Sequence, residues 1–558
     1  IHSGDWSSDV CSSDLANVVE MNEIYTTRGR DVVDGDDRFG GDTGVLDLTS
    51  LIGNQYVTQP VQGNNQDIQI VGDQVEVLEV VESDGGNLVL MPASSDQSIG
   101  LGDDADGGFH LTQAEMDRLV DGFHTIFIGR QNGAHAINLR NSGGNDLTFS
   151  DPLVLRNPNG GHISINSPIV GSDNASFQVL GSGHTVYIDS DASVPGQISY
   201  SDAVEFEGDR TMTSTGSFIQ FGLPSGSVDA YDGGDEPDTV DNDDTDTLTL
   251  DAATDVTVKG DVGDADPLYA LTVDAGEDVL FEGSVTLTDA GFADEQYGDL
   301  DISAANSITF QQAVNLDDDL IIDSGNSVIF EGPVTIDGDI SISGVSDVTF
   351  KGDVDVEGLI NIEATDSISF ENLLETEGDA TLVSNEVNFN GPDESVRSSG
   401  PASVLAIYPF TDNAQINIGN QTSSTGPIDL TDGDLSSLQQ GFDYITIGDP
   451  VGDQAGAINV VSAIFNDDLV LRGQEVNVQD SLELSSGNLR VEATDDADPL
   501  SNDITLDGSI TGVGDITLIA HDDIDQNAGG DISTGGGGTV DIEATGGGIT
   551  MEDGATTT

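Results

Sequence analysis

The chain has 558 residues, of which 103 are acidic and only 13 are lysine or arginine, giving a formal charge of −90. Such a surface repels nucleic acid and anionic membranes, and no apolar run is long enough to span a bilayer as a helix. Aromatics make up 5% and glycines number 69, which suits narrow repeated turns of chain better than one large globular core.

In chain order, residues 1–15, IHSGDWSSDVCSSDL, hold the only tryptophan (Trp6) and the only cysteine (Cys11). This stretch resembles a translated sequencing adapter and is set aside as non-native. Without it the chain has no cysteine, so no disulfide is expected to staple the fold. Residues 16–85 read as an irregular, strand-rich segment, clearest at IQIVGDQVEVLEVV. Residues 86–200 read as coils carrying a first helix-bearing module. Thr112 and Glu115 have the spacing of a capping box, and Met116, Leu119, Val120 and Phe123 fall on one helical face. The spacing predicts a short amphipathic helix covering apolar coil surface, then a return to strand at TIFIG. Residues 201–254 read as less regular coils with an acidic loop, DGGDEPDTVDNDDTD (Asp232–Asp246).

Residues 255–391 contain the repeat that sets the fold. Phe310, Phe330, Phe350 and Phe370 are spaced by 20, and Phe389 follows after 19. Each unit has three apolar-x-apolar pairs. In the unit opening at Asp347 they are Val348/Phe350, Val354/Val356 and Ile360/Ile362. Alternation within a pair is strand periodicity. Three short strands per 20 residues describe one triangular turn, which cannot bury its own apolar face and so must stack on copies of itself. The fold class is therefore all-β, a parallel β-helix solenoid with coils of about 20 residues and two short helix-bearing insertions. The nine extra residues Asp289–Tyr297 fall between strands, where an insertion leaves the apolar columns in register. Thr376 and Ala380 take inward positions and predict a less well packed coil.

Residues 392–475 form a second helix-bearing module. Ile416–Val460 repeats the pattern of Ile99–Leu139, and both copies lead to LVLR, at Leu153–Arg156 and Leu469–Arg472. Residues 476–558 resume coils and thin into glycine; the ending in mid-pattern predicts an internal piece of a longer chain.

The repeat DVTFKGDVDVEGLINIEA resembles the filamentous-haemagglutinin type of secreted bacterial exoprotein and the giant repeat-rich surface proteins of environmental bacteria. The likeness covers most of residues 86–558 and rests on the repeat pattern. It implies a right-handed β-helix, export to the cell surface and a role as adhesin or extracellular scaffold, with an extracellular glycan or protein as partner. The extreme acidity departs from that pattern and favours a salt-adapted environmental surface protein over host attachment.

For chemistry, the expectation is no enzyme and no cofactor beyond calcium. Lyases of this fold need cationic residues, and the chain has only two lysines, Lys259 and Lys351. The triplet His521–Asp523 is what chance supplies among so many acids. No metalloprotease, phosphate-loop or dinucleotide motif is present. Asp319, Asp339 and Asp379 share one corner column, interrupted by Leu359. Stacking sets such carboxylates about 5 Å apart, where they repel unless screened or bridged by a hard cation. Asp241, Asp243 and Asp244, in the acidic loop, form a second calcium candidate. A solvated acidic edge and weak calcium binding remain the two readings. A calcium-dependent matrix or surface-layer component is the alternative function, and a β-helix carbohydrate-active enzyme the less favoured one.

Overall fold

The computed structural model describes residues 18–19, 45–47, 55–57, 60–63, 65–181, 183, 185–222, 226–230, 246–264, 266–288, 298–419, 428–438, 441–449, 455–493 and 503–558. Residues 1–15, His184 and most of the Asp232–Asp246 loop lie outside them. The chain divides into two compact units, Ile1–Leu268 and Tyr269–Thr558. Each is a parallel β-helix.

In the second unit the 20-residue repeat closes one coil per period. One coil is built from Ser307–Phe310, Val314–Leu316 and Leu320–Ile322. The next takes Ser327–Phe330 and Val334–Ile336, then the start of Ile340–Phe350. Neighbouring coils pair in parallel with no slip at the columns. Val328 sits between Ile308 and Val348, Val334 between Val314 and Val354, and Ile340 between Leu320 and Ile360. β-Branched residues suit these strands because each packs against its copy above and below. The inward members are buried and the intervening residues reach solvent.

Stacking is most regular in the phenylalanine column. Centroids of Phe281, Phe310, Phe330, Phe350 and Phe370 step by 5.1, 4.8, 4.7 and 5.0 Å, with ring planes within 3° of parallel. The step to Phe389, where the spacing falls to 19 residues, opens to 6.0 Å and 19°. Thr376 and Ala380 are both fully buried, and the Thr376 hydroxyl donates to the Gly378 carbonyl at 3.1 Å. The nine extra residues Asp289–Tyr297 lie outside the described residues; on either side of them the columns hold, with Val285 paired to Val314 and Leu300 to Leu320.

In the first unit, Asp67–Gly72 pairs with Asn87–Pro92, which pairs with Thr125–Ile128, then Leu153–Asn157 and Phe177–Gly181. Coil pairing thus reaches back into the segment read as irregular. Phe177, Tyr200 and Phe221 form its own aromatic column, with centroid steps of 6.1 and 5.4 Å.

The capping box expected in the first helix-bearing module is present, and the second module has one as well. In α1 (Gln113–Met116) the Thr112 hydroxyl accepts from the Glu115 N–H, and Glu115 Oε2 accepts from the Thr112 N–H at 2.9 Å. In α2 (Asp432–Ser437) Thr431 and Asp434 repeat the arrangement. The helices are shorter than the apolar spacing predicts. Leu119 does not extend α1 but forms a strand bridge with Val81, and Leu438 does the same with Val396. Pairing with an adjacent coil edge satisfies the backbone there, so further helical turns give no advantage. Of the predicted apolar face, Met116, Leu119 and Phe123 are buried, while Val120 is only half-buried.

Candidate functional site

The acidic residues have a structural use that recurs through both units. At the corner before a strand, an aspartate carboxylate accepts the backbone N–H of the equivalent residue one coil on. Asp299 takes the Asp319 N–H at 3.1 Å, Asp319 takes that of Asp339 at 2.6 Å, and Asp339 takes that of Leu359 at 2.6 Å. Asp379 takes the Val404 N–H at 2.8 Å. Elsewhere Asp67 serves Asn87, Asp191 serves Thr211, Asp468 serves Asn488 and Asp503 serves Asp523. Aspartate is short enough to reach the N–H directly above without disturbing its own strand. Charge-assisted bonds of this kind are roughly twice as strong as neutral ones.

The predicted calcium column is therefore a hydrogen-bonded ladder, with its members one or more coils apart. Asp319 does meet other carboxylates, but they are Asp299 and Asp318. One oxygen from each of the three lies within 4.8 Å of the others. Burial holds the Asp299 carboxyl above its usual range, and the charges of Asp319 and Asp301 add to the shift. Asp299 and Asp319 each accept a backbone N–H at Oδ1. Calcium takes six to eight oxygens, so these residues fit it only as a partial cradle completed by water. Asp339 and Asp379 are not in the cluster, and Asp241, Asp243 and Asp244 lie outside the described residues.

A second set of acids was not foreseen as a group. Glu115, the capping-box acid of α1, also accepts the Val77 N–H at 2.9 Å. Its counterpart Asp434 accepts the Phe389 N–H at 2.7 Å. Each helix is thus tied by its own cap to the coil beneath. Asp151 accepts the Gly122 N–H at 2.9 Å, and Asp467 accepts from Gly441 and Phe442 at 3.2 and 3.3 Å. Both precede LVLR by two residues, and that repeated position was the available signal. Burial pushes Asp151 up to about 6 against the pull of the Gly122 and Phe123 N–H groups, and Asp467 shifts the same way. Glu386 is pushed up to about 7, first by burial and then by Asp429.

Among the described residues, no histidine joins a cluster of possible metal ligands, and His124 is exposed. His135 is fully buried. Its Nε2 accepts the Arg130 N–H at 3.2 Å, which leaves Nδ1 to donate to the Gln97 carbonyl at 2.8 Å. Burial holds this imidazole below its ordinary range. His110 Nε2 lies 2.7 Å from the Gly102 carbonyl, and the His162 ring packs on Tyr187 at 4.7 Å. In the His521–Asp523 triplet, His521 Nδ1 lies 3.5 Å from Asp522, while Asp523 Oδ1 accepts the Gly548 N–H at 2.7 Å. Asp523 is thus a rung of the ladder. Lys351 pairs with Glu331 at 3.1 Å on the adjacent coil.

The architecture places the chain in the class of parallel β-helix repeat proteins. No protein-family model, curated protein or solved structure matches it. No helix among the described residues is long and apolar enough to cross a membrane.

Proposed function

We propose that the chain is a non-catalytic β-solenoid segment of a large bacterial surface or secreted protein of the filamentous-haemagglutinin-like kind, acting outside the cell as a scaffold or adhesin. The observation that carries this reading is the use made of the side chains. Inward residues stack on their copies, and aspartates bind coil to coil through backbone N–H groups. The chemistry of the repeat goes into stacking coils beneath a solvated surface. The test is to coat beads with the full chain and measure retention on bacterial cells, glycan films and protein films, alongside turnover assays on polysaccharides. Selective retention without turnover supports the reading; release of sugar products refutes it.

The Asp299, Asp318 and Asp319 cluster favours one further reading, in which calcium braces the coils as in a matrix or surface-layer component. Thermal melts in chelator, in calcium and in matched sodium chloride separate the two. A midpoint raised by calcium beyond the salt effect, and lost in Asp318→Asn, supports calcium bracing; an equal response to both salts removes it.

A further inference from the structure

The two modules are internal copies, so equivalent positions can be compared directly. Arg156 and Arg472 close the two LVLR segments. Arg472 lies in register with Glu492 on the next coil and is ion-paired to it, and Arg490 binds the same carboxylate. Arg156 lies in register with Leu180, an exposed aliphatic residue. No carboxylate among the described residues pairs with Arg156. Its guanidinium instead lies over the Phe127 ring, with Cζ 3.5 Å from the centroid. The second copy has Thr446 at the position of Phe127, and Asp449 where the first copy has Arg130. Three substitutions thus turn a neutralised arginine into one of two cations beside an aromatic ring, in a chain where acids outnumber bases roughly eightfold.

Arg130 and Arg156 line one groove of about 640 Å³ on the outward face of the sheet. Arg130 is held in place: Nη1 donates to the Pro92 and Ala93 carbonyls at 3.1 and 3.3 Å, and Nε to Asn132 at 3.2 Å. The floor presents Val89 and Met91, with Asn87 at the edge. Asp67 is the one acid in the lining, and its Oδ1 is already bound to the Asn87 N–H at 2.7 Å. A guanidinium fixed on a ring loses little freedom on binding and offers a planar fork that matches a carboxylate. Aliphatic floor and amide edge match the C–H face and hydroxyls of a sugar ring.

We propose that this groove binds a uronate oligosaccharide, with its carboxylate on Arg156 and Arg130. The site gives a ligand class to the surface role proposed above and rests on that reading for its biological setting. It is tested apart from that reading, since a failure here leaves a purely structural solenoid standing. Repulsion from the rest of the chain is screened beyond about 8 Å at physiological salt, so recognition acts at contact.

The test is calorimetric titration of the full chain with trigalacturonate, in chelator so that no cation bridges the two polyanions, and in moderate salt. Wild type binds the acid and not its methyl ester. Arg156→Gln weakens binding about tenfold or more, the loss expected for a charge-assisted pair, while Arg472→Gln leaves it unchanged. Circular dichroism checks the fold of each variant, and Arg130→Gln gives the same reading should Arg156→Gln misfold. The proposal is overturned if wild type does not bind trigalacturonate, if the arginine variants at the groove bind as wild type does, or if hexa-aspartate binds equally well.

Discussion

Replacing Phe350 with alanine tests whether the aromatic column holds the second unit together. Phe350 is 1% exposed and stacks on Phe330 at 4.7 Å and on Phe370 at 5.0 Å. Transfer and cavity effects for a buried Phe→Ala change amount to about 3–5 kcal/mol. Two lost ring contacts add about 0.5–1.5 kcal/mol each, for a total of about 4–8 kcal/mol. Coils touch only their neighbours, so the loss should be local. Hydrogen exchange is the direct assay: amides of the Phe330, Phe350 and Phe370 strands should lose protection, while those near Ile516 and Ile524 keep theirs. Urea unfolding of the same variant gives the total. Phe350→Leu, which keeps most of the volume, should cost much less. A loss below about 1 kcal/mol for Phe350→Ala, well under the range for a buried aromatic, would refute the reasoning. So would protection lost evenly along the unit.

Three other outcomes follow from the same geometry. Asp339→Ala removes the acceptor of the Leu359 N–H and should lower stability by about 0.5–1.5 kcal/mol, whereas Asp339→Asn keeps a neutral acceptor and should cost roughly half as much; equal melting points for the two variants would contradict the ladder. A Cβ on Gly358 would lie 2.3 Å from the Gly338 carbonyl oxygen, so Gly358→Ala should cost about 2 kcal/mol or more by overpacking, read from the urea midpoint. Asp151 is buried with its carboxyl raised to about 6. Its folded value lies above the unfolded one, so the folded state is favoured at low pH and loses that advantage as pH rises through about 6. Asp151→Asn should therefore gain stability on wild type by roughly 1–2 kcal/mol between pH 5 and pH 8, checked by melting points at the two values.

The apolar columns were legible because a two-residue alternation inside a 20-residue period leaves little choice of fold. Phe330 over Phe350 follows from spacing alone. The ladder was half legible: the Asp319 and Asp339 column could be read, but which N–H each carboxylate meets depends on coil register. The capping box at Thr112 was local enough to read directly; that at Thr431, closed by Asp434 rather than a glutamate, was not. The length of the helices was not, because the bridge from Leu119 to Val81 is a long-range pairing that competes with helix. The difference between Arg156 and Arg472 was hidden for the same reason, since it lies in Leu180 and Glu492, partners supplied by the next coil.

Register between whole coils has an evolutionary consequence. Asp347 pairs with Ser327, and Ser327 with Ser307. Excising residues 327–346 would join Asn326 to Asp347 and set Phe350 on Phe310, with every neighbour chemically familiar. Unequal recombination between such tandem segments can lengthen or shorten the protein by full turns without passing through a misfolded intermediate, so its reach is open to selection independently of its surface.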